Sequence, residues 1–167
     1  LLAMREATLK GLVSLTDKLN DKNLNEKLIK SLSRLQSDPE PALRCNTTIF
    51  IGKIASQIKE GVRNRILLPS ILKGFRDDFP HSRLASLKAM IACLTYMDEV
   101  TICQQVLPCL SLLLIDPDSM VRDQAFIALS ALTQKLSLYG EVLRQEENKQ
   151  KEEAALRAQE QQQQQLL

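Results

Sequence analysis

An all-α fold, an α-solenoid of antiparallel helical hairpins, is predicted by three observations. The sequence carries an internal period of 39 residues, each period repeats one apolar stripe at helical spacing, and residues that break helices are few. The 167-residue chain has only five glycines and six prolines, no tryptophan and 4% aromatic residues. Leu, Ile, Ala, Val and Met must therefore fill the core. Long helices with short connections suit that composition better than a sandwich or barrel with many turns. The length is enough for a sizeable core.

Three turn segments set the period. Asp38-Pro39-Glu40-Pro41-Ala42-Leu43-Arg44, Asp77-Asp78-Phe79-Pro80-His81-Ser82-Arg83 and Asp116-Pro117-Asp118-Ser119-Met120-Val121-Arg122 space their leading aspartates 39 residues apart, and their arginines likewise. One more step back from Arg44 reaches Arg5. Three residues after each arginine stand Thr8, Thr47, Ser86 and Ala125, all small. Four after stand Leu9, Thr48, Leu87 and Phe126; seven after, Leu12, Ile51, Met90 and Leu129; fourteen after, Leu19, Ile58, Met97 and Leu136. The last three offsets share one helical face, so they form a buried stripe. In the preceding helix Leu28, Leu67 and Val106 keep phase, as do Leu32, Ile71 and Leu110. Two-helix units of this length that stack side by side are HEAT repeats.

In chain order, a helix over about residues 2–19 is the second half of a unit whose first half is missing. Hairpins follow over about 24–37 with 40–58, 61–76 with 80–97, and 99–115 with 118–138. Lys22-Asn23 and Asp98-Glu99 are polar links between units. Pro69 and Pro108 match each other near the middle of their helices, where a bend is expected because proline lacks a donor and crowds the preceding turn. In each turn the aspartate is expected to cap the second helix and the proline to stop the first. An arginine six residues after each aspartate would reach the turn of a neighbouring unit, where its planar fork can bind a carboxylate. Arg5, Asp38, Arg44, Asp77, Arg83, Asp116 and Arg122 are thus expected to form a structural ladder, in preference to a phosphate-binding stripe.

The repeats occupy residues 1–138, read as part of a longer protein; residues 139–167 are a charged, Gln-rich extension, either a solvated helix or a disordered tail. That extension holds four basic and six acidic residues, a net −2 against the chain's +2, which leaves +4 on residues 1–138. Leu143, Leu156 and Leu166 are too sparse for a coiled-coil seam.

The near-neutral charge argues against nucleic acid as the expected partner. No apolar run approaches the roughly 18 residues that a membrane-spanning helix needs. Cys45, Cys93, Cys103 and Cys109 form no CxxC pair and the only histidine is His81, so no metal site is evident and the cysteines read as buried, reduced thiols. No Gly-rich phosphate loop or nucleophile–base set is present, and no cofactor is expected. Asp77-Asp78 could suggest a metal or acid–base site but reads as a helix cap in the repeat turn, and the cluster of Lys59, Arg63, Arg65, Lys73 and Arg76 as a solvated face.

Two segments go beyond the generic repeat. Arg44-Cys45-Asn46-Thr47-Thr48-Ile49-Phe50-Ile51-Gly52-Lys53-Ile54-Ala55 and Asp116-Pro117-Asp118-Ser119-Met120-Val121-Arg122-Asp123-Gln124-Ala125-Phe126 resemble the HEAT region of the SCY-like family of protein-kinase-like proteins, and Asp78-Phe79-Pro80 with Arg83 resembles its intermediate turn. The resemblance covers about residues 1–138. It implies a parent with an N-terminal, catalytically impaired kinase-like domain, followed by these repeats and a variable tail. It also implies an adaptor in cytoplasmic membrane traffic, working at Golgi or ER–Golgi membranes with COPI-type coat or clathrin-linked adaptor subunits as partners. The family's basic coat-binding tail is not matched by the Gln-rich end here. On this reading the segment is a non-catalytic scaffold that meets membranes only through its partners. Its stacked second helices would offer a concave surface, with Asn46, Lys53, Gln57, Lys88 and Gln124 as candidate contact residues. Self-association through an exposed end of the stack is a further expectation. The alternative is a tRNA nuclear-export adaptor that binds nucleic acid along a basic face.

Overall fold

The computed structural model describes residues 1–15 and 27–165, and every regular element among them is helical. Leu19, the Lys22-Asn23 link and Leu166-Leu167 lie outside the described residues, as do the expected helix limits near 19 and 24. Helix α1 spans Leu2–Leu15. Helix α2 has a wide turn at Lys27 and Leu28 and continues as Ile29–Leu35, and α3 spans Pro41–Ile54, ending in a 3-10 turn at Ala55–Gln57. Helix α4 joins Glu60–Val62, Arg63–Leu67 and Leu68–Gly74, and α5 spans Pro80–Cys93 with a 3-10 turn at Leu94–Tyr96. Helix α6 joins Glu99–Thr101, Ile102–Val106, Leu107–Ser111 and Leu112–Ile115, and α7 spans Ser119–Gln165.

The second helices start where the sequence presets them. Pro41 and Pro80 open α3 and α5, where proline's fixed φ suits a helix and its missing N–H costs nothing. The helix therefore begins later than the leading aspartate, and the expected capping role of Asp38, Asp77 and Asp116 needs correction. Their Oδ1 atoms accept from the backbone N–H two residues on (Glu40, Phe79 and Asp118), each at 2.9 Å. This Asx turn closes the connection rather than the helix. At α7, which lacks the proline, Asp118 caps by accepting from Met120 N at 2.9 Å and Val121 N at 3.2 Å.

The first helices answer the proline question. Arg63–Leu67 and Ile102–Val106 are π-helical, each ending two residues before Pro69 and Pro108. A widened turn makes room for a ring that would otherwise press on the carbonyl four residues back. Lys27 and Leu28 are also π-helical, although Lys30 stands where the later repeats have proline. The wide turn is thus a property of the repeat into which proline fits.

Packing follows the 39-residue register. Leu28, Leu67, Val106, Leu32, Ile71 and Leu110 are all buried from the first helices, and Ile51, Ile58, Met90 and Met97 from the second. Complete burial of one such side chain is worth about 1.5–3 kcal/mol. Two glycines permit close approach. A Cβ on Gly74 would lie 1.9 Å from Ser86 Oγ, and one on Gly52 would lie 3.0 Å from Ala89 Cβ. Phe126 breaks the expected stripe outright at 56% exposed, while Leu12, Leu129 and Leu136 are half-buried. Cys93 is buried, but Cys103 is exposed because it occupies the outward position of α6 that Asn64 holds in α4; the reading of all four thiols as buried is corrected accordingly.

The chain forms two compact units, Leu1–Ala131 and Leu132–Leu167. The first holds the hairpins. The second is the remainder of α7, helical to Gln165 and exposed from residue 141 onward.

Candidate functional site

The turn arginines and aspartates meet across hairpins. Arg83 donates from Nε to Asp116 Oδ2 at 2.7 Å and from Nη2 to Oδ1 at 2.8 Å. Its Nη1 donates to the carbonyls of Asp77 and Asp78 in its own turn, at 2.8 and 3.2 Å. Arg44 repeats both halves: Nε and Nη2 hold Asp77 at 2.7 and 2.9 Å, and Nη1 holds the Asp38 and Pro39 carbonyls at 2.9 and 3.1 Å. Arg5 Nη2 donates to Asp38 Oδ1 at 3.0 Å, while its Nε lies 2.6 Å from Oδ2 without hydrogen-bond alignment. Arg122 Nη1 donates to the carbonyls of Asp116 and Pro117 at 2.7 and 3.0 Å.

Charge follows geometry. Burial pushes the Asp116 carboxyl up, but hydrogen bonds from Arg83 and the Asp118 backbone outweigh it and hold the group below the usual carboxylate range. Asp77 behaves the same way with Arg44 and Phe79 N, and Asp38 with Glu40 N and Arg5. The aspartate partners raise Arg44 and Arg83. Three of these guanidinium groups are committed to carboxylates, which leaves no stripe for phosphate.

The remaining basic cluster is divided as well. Arg63 lies 4.2 Å over the Tyr96 ring and donates to Ala55 O, and Lys73 donates to Ser37 Oγ at 2.7 Å. Arg65 and Arg76 are exposed. A cleft of about 770 Å³ along the turns is lined by the ladder groups Asp38, Arg44 and Asp77, which are engaged with ladder partners, and by Lys73, Arg76 and Asp78.

The face of the second helices is different. A groove of about 490 Å³ between α3 and α5 is lined by Ile49, Gly52, Leu84, Ala85, Ala89 and Ala92, with Lys53 and Lys88 beside them. A second groove, about 340 Å³ between α1 and α3, shares Ile49 and Lys53 and adds Glu6, Lys10 and Asn46. Cys45 and His81 stand at the turn end of the first groove, where Cys45 Sγ donates to His81 O at 3.5 Å. Of the candidate contact residues, Asn46, Lys53 and Lys88 line these grooves; Gln57, exposed in the 3-10 turn, and Gln124, half-buried on α7, line neither. The apolar floor was missed in the sequence. Its signal was Ala85, Ala89 and Ala92 at helical spacing facing Gly52, small residues that lower the surface between two larger ridges.

Burial pushes the Cys93 thiol up to about 11, which keeps it protonated and unreactive. Among the described residues no group of three His, Cys, Asp or Glu side chains could hold a metal ion, and no helix is long and apolar enough to cross a membrane.

This geometry defines a stack of HEAT-type hairpins, and the HEAT repeat family matches residues 106–136. The relatives take the identification further. The probable inactive serine/threonine-protein kinase scy1 of Dictyostelium discoideum is 30% identical over 133 residues, which is 80% of this chain and 16% of that protein. The protein kinase domain-containing protein ppk3 of Schizosaccharomyces pombe is 35% identical over 108 residues, 65% of this chain and 17% of that protein. The crystal structure of Cex1p superposes with a TM-score of 0.75 at 27% identity, over 84% of this chain and 27% of that one. By these likenesses the chain is a HEAT-repeat segment of the SCY-like type. It spans about a sixth of the length of the two relatives.

Proposed function

We propose that this segment is a docking scaffold for coat or adaptor subunits in vesicle traffic, acting at the cytoplasmic face of Golgi or ER–Golgi membranes. The observation that carries the docking role is the pair of grooves on the second-helix face. Ile49 is 41% exposed at the junction of both; Lys53 and Lys88 border the apolar floor between α3 and α5, and Lys10, Lys53 and a single carboxylate, Glu6, line the groove between α1 and α3. Apolar contact supplies affinity, and the lysines select a partner helix or loop that carries acidic side chains. The traffic role rests on the resemblance to the SCY-like family, whose members join a kinase-like domain to such repeats. In this reading the parent's kinase-like domain is catalytically impaired, and membranes are reached through the bound partner.

The test is capture of purified coatomer and of purified clathrin adaptor complexes by the full-length parent. Ile49→Glu combined with Lys53→Glu is expected to abolish capture of one of them while the helical circular-dichroism signal stays unchanged. Undiminished capture of both by the variant would refute the groove. Capture of tRNA instead, weakening steeply with salt, would move the function to nucleic acid.

A further inference from the structure

The outward stripe of the first helices keeps one register through the three hairpins. Lys30, Pro69 and Pro108 hold one position of it; Arg34, Lys73 and Leu112 hold the next; Ser37, Arg76 and Ile115 hold the third, at the turn that ends each helix. Steps of four and three residues put these positions on one face. All of them are exposed, in the middle hairpin as in the other two. The openness of the stripe therefore does not come from an end of the stack.

Its charge is one-sided. Residues 27–37, 61–76 and 100–115 hold seven basic side chains and no acidic one. Arg63 is turned onto Tyr96. None of the other six, Lys27, Lys30, Arg34, Arg65, Lys73 and Arg76, pairs with a carboxylate among the described residues, and Lys73 donates to the neutral Ser37 Oγ. The third hairpin changes the stripe from basic to aliphatic. In phase with Arg34 and Lys73, α6 presents Leu112, 61% exposed, and in phase with Arg76 it presents Ile115, 79% exposed.

We propose that this stripe rests on an anionic lipid surface, with the basic side chains of α2 and α4 over the headgroups and Leu112 and Ile115 of α6 inserted beside them. Unpaired basic residues draw a segment to anionic lipid, and protruding aliphatic chains gain by leaving water there. A single-stranded nucleic acid would be met by stacking platforms, and no aromatic residue holds a position of the stripe. An acidic peptide would enter the cleft beside Lys73 and Arg76, where Asp38, Asp77 and Asp78 oppose it. A broad anionic surface meets the exposed lysines and arginines while Asp38 and Asp77 stay withdrawn in their ladder pairs. The grooves lie on the second helices, so a partner bound there still brings the segment to its membrane. The first-helix stripe adds a direct hold that does not depend on the grooves.

The test is flotation of the full-length protein, without coat or adaptor subunits, on vesicles of phosphatidylcholine with phosphatidylserine and on phosphatidylcholine alone. Binding is expected on the mixed vesicles only. Arg34→Glu combined with Lys73→Glu should lower it by more than about tenfold, and the milder Arg34→Gln with Lys73→Gln should lower it by less. Leu112→Ser with Ile115→Ser should lower it by about tenfold and leave its decline with salt unchanged, since no charge is removed. The same charge reversal at the exposed Lys149 and Lys151 is the control and should leave binding within about twofold. No binding to the mixed vesicles, equal binding to phosphatidylcholine alone, undiminished binding by either stripe variant, or equal loss in the control would overturn the proposal. Capture of RNA or of an acidic peptide through the stripe, with the vesicles left unbound, would overturn it as well.

Discussion

Arg44 and Arg83 each do two jobs with one planar group, and lysine could do only one of them. Nη1 gathers two carbonyls of its own turn while the opposite edge grips the next hairpin. Burial rises along the ladder: the arginine side chains are 36%, 18% and 11% exposed at Arg5, Arg44 and Arg83. Removal should therefore cost progressively more. Arg5→Ala removes the most exposed of the three arginines and is expected to cost least, about 1 kcal/mol, since Asp38 keeps the backbone N–H of Glu40. Arg83→Ala strands the buried Asp116 charge and is expected to cost about 3 kcal/mol. Urea denaturation of the two variants checks the difference. The same carboxylates fix the acid response. Asp77 and Asp116 are held below their unfolded value of about 3.9, so their contribution is complete above that pH and disappears as pH falls through the lower folded values. Asp116→Asn should be less stable at neutral pH and should lose less of its remaining stability between about pH 4 and pH 2, measured by denaturation at each pH.

Among the elements, the same substitution should have opposite effects in two helices. Gly74→Ala adds a methyl where Ser86 Oγ would be 1.9 Å away, and is expected to destabilise by about 1–3 kcal/mol despite alanine's better helix propensity. Gly140→Ala meets nothing within 4 Å, so propensity alone acts and α7 should gain up to about 1 kcal/mol, seen as slower local amide exchange. The two-helix repeat was legible because Arg and Asp recur with the apolar stripe in one phase, which needs no knowledge of contacts. The later start of α3 and α5 was legible too, since Pro41 and Pro80 are natural first residues of a helix. The π-helical turns were not. Lys30 in α2 carries no sign of one, since the wide turn at Lys27 and Leu28 occurs there without the proline. The exposure of Phe126 was equally hidden, because its sequence environment matches that of buried Leu87. The grooves were half legible: Lys53 and Lys88 stand out as charges on an apolar helix, but a floor made by the absence of side-chain bulk leaves only a faint trace.

Across the hairpin unit, each pair of helices touches its neighbours and buries what neither could bury alone. Stability in such a stack is a sum of hairpin and junction terms, so damage to one hairpin should spread to the next. Residues 141–165, exposed along a single helix, have no such junction and should exchange their amide hydrogens fastest. Hydrogen exchange of the intact chain carrying Leu87→Ala, which empties a fully buried site in α5, tests this coupling most directly. Faster exchange is expected in α5 and also in α3 and α6, on either side, with 141–165 unchanged. Acceleration confined to residues 60–97 would mean that neighbouring hairpins do not share one interior.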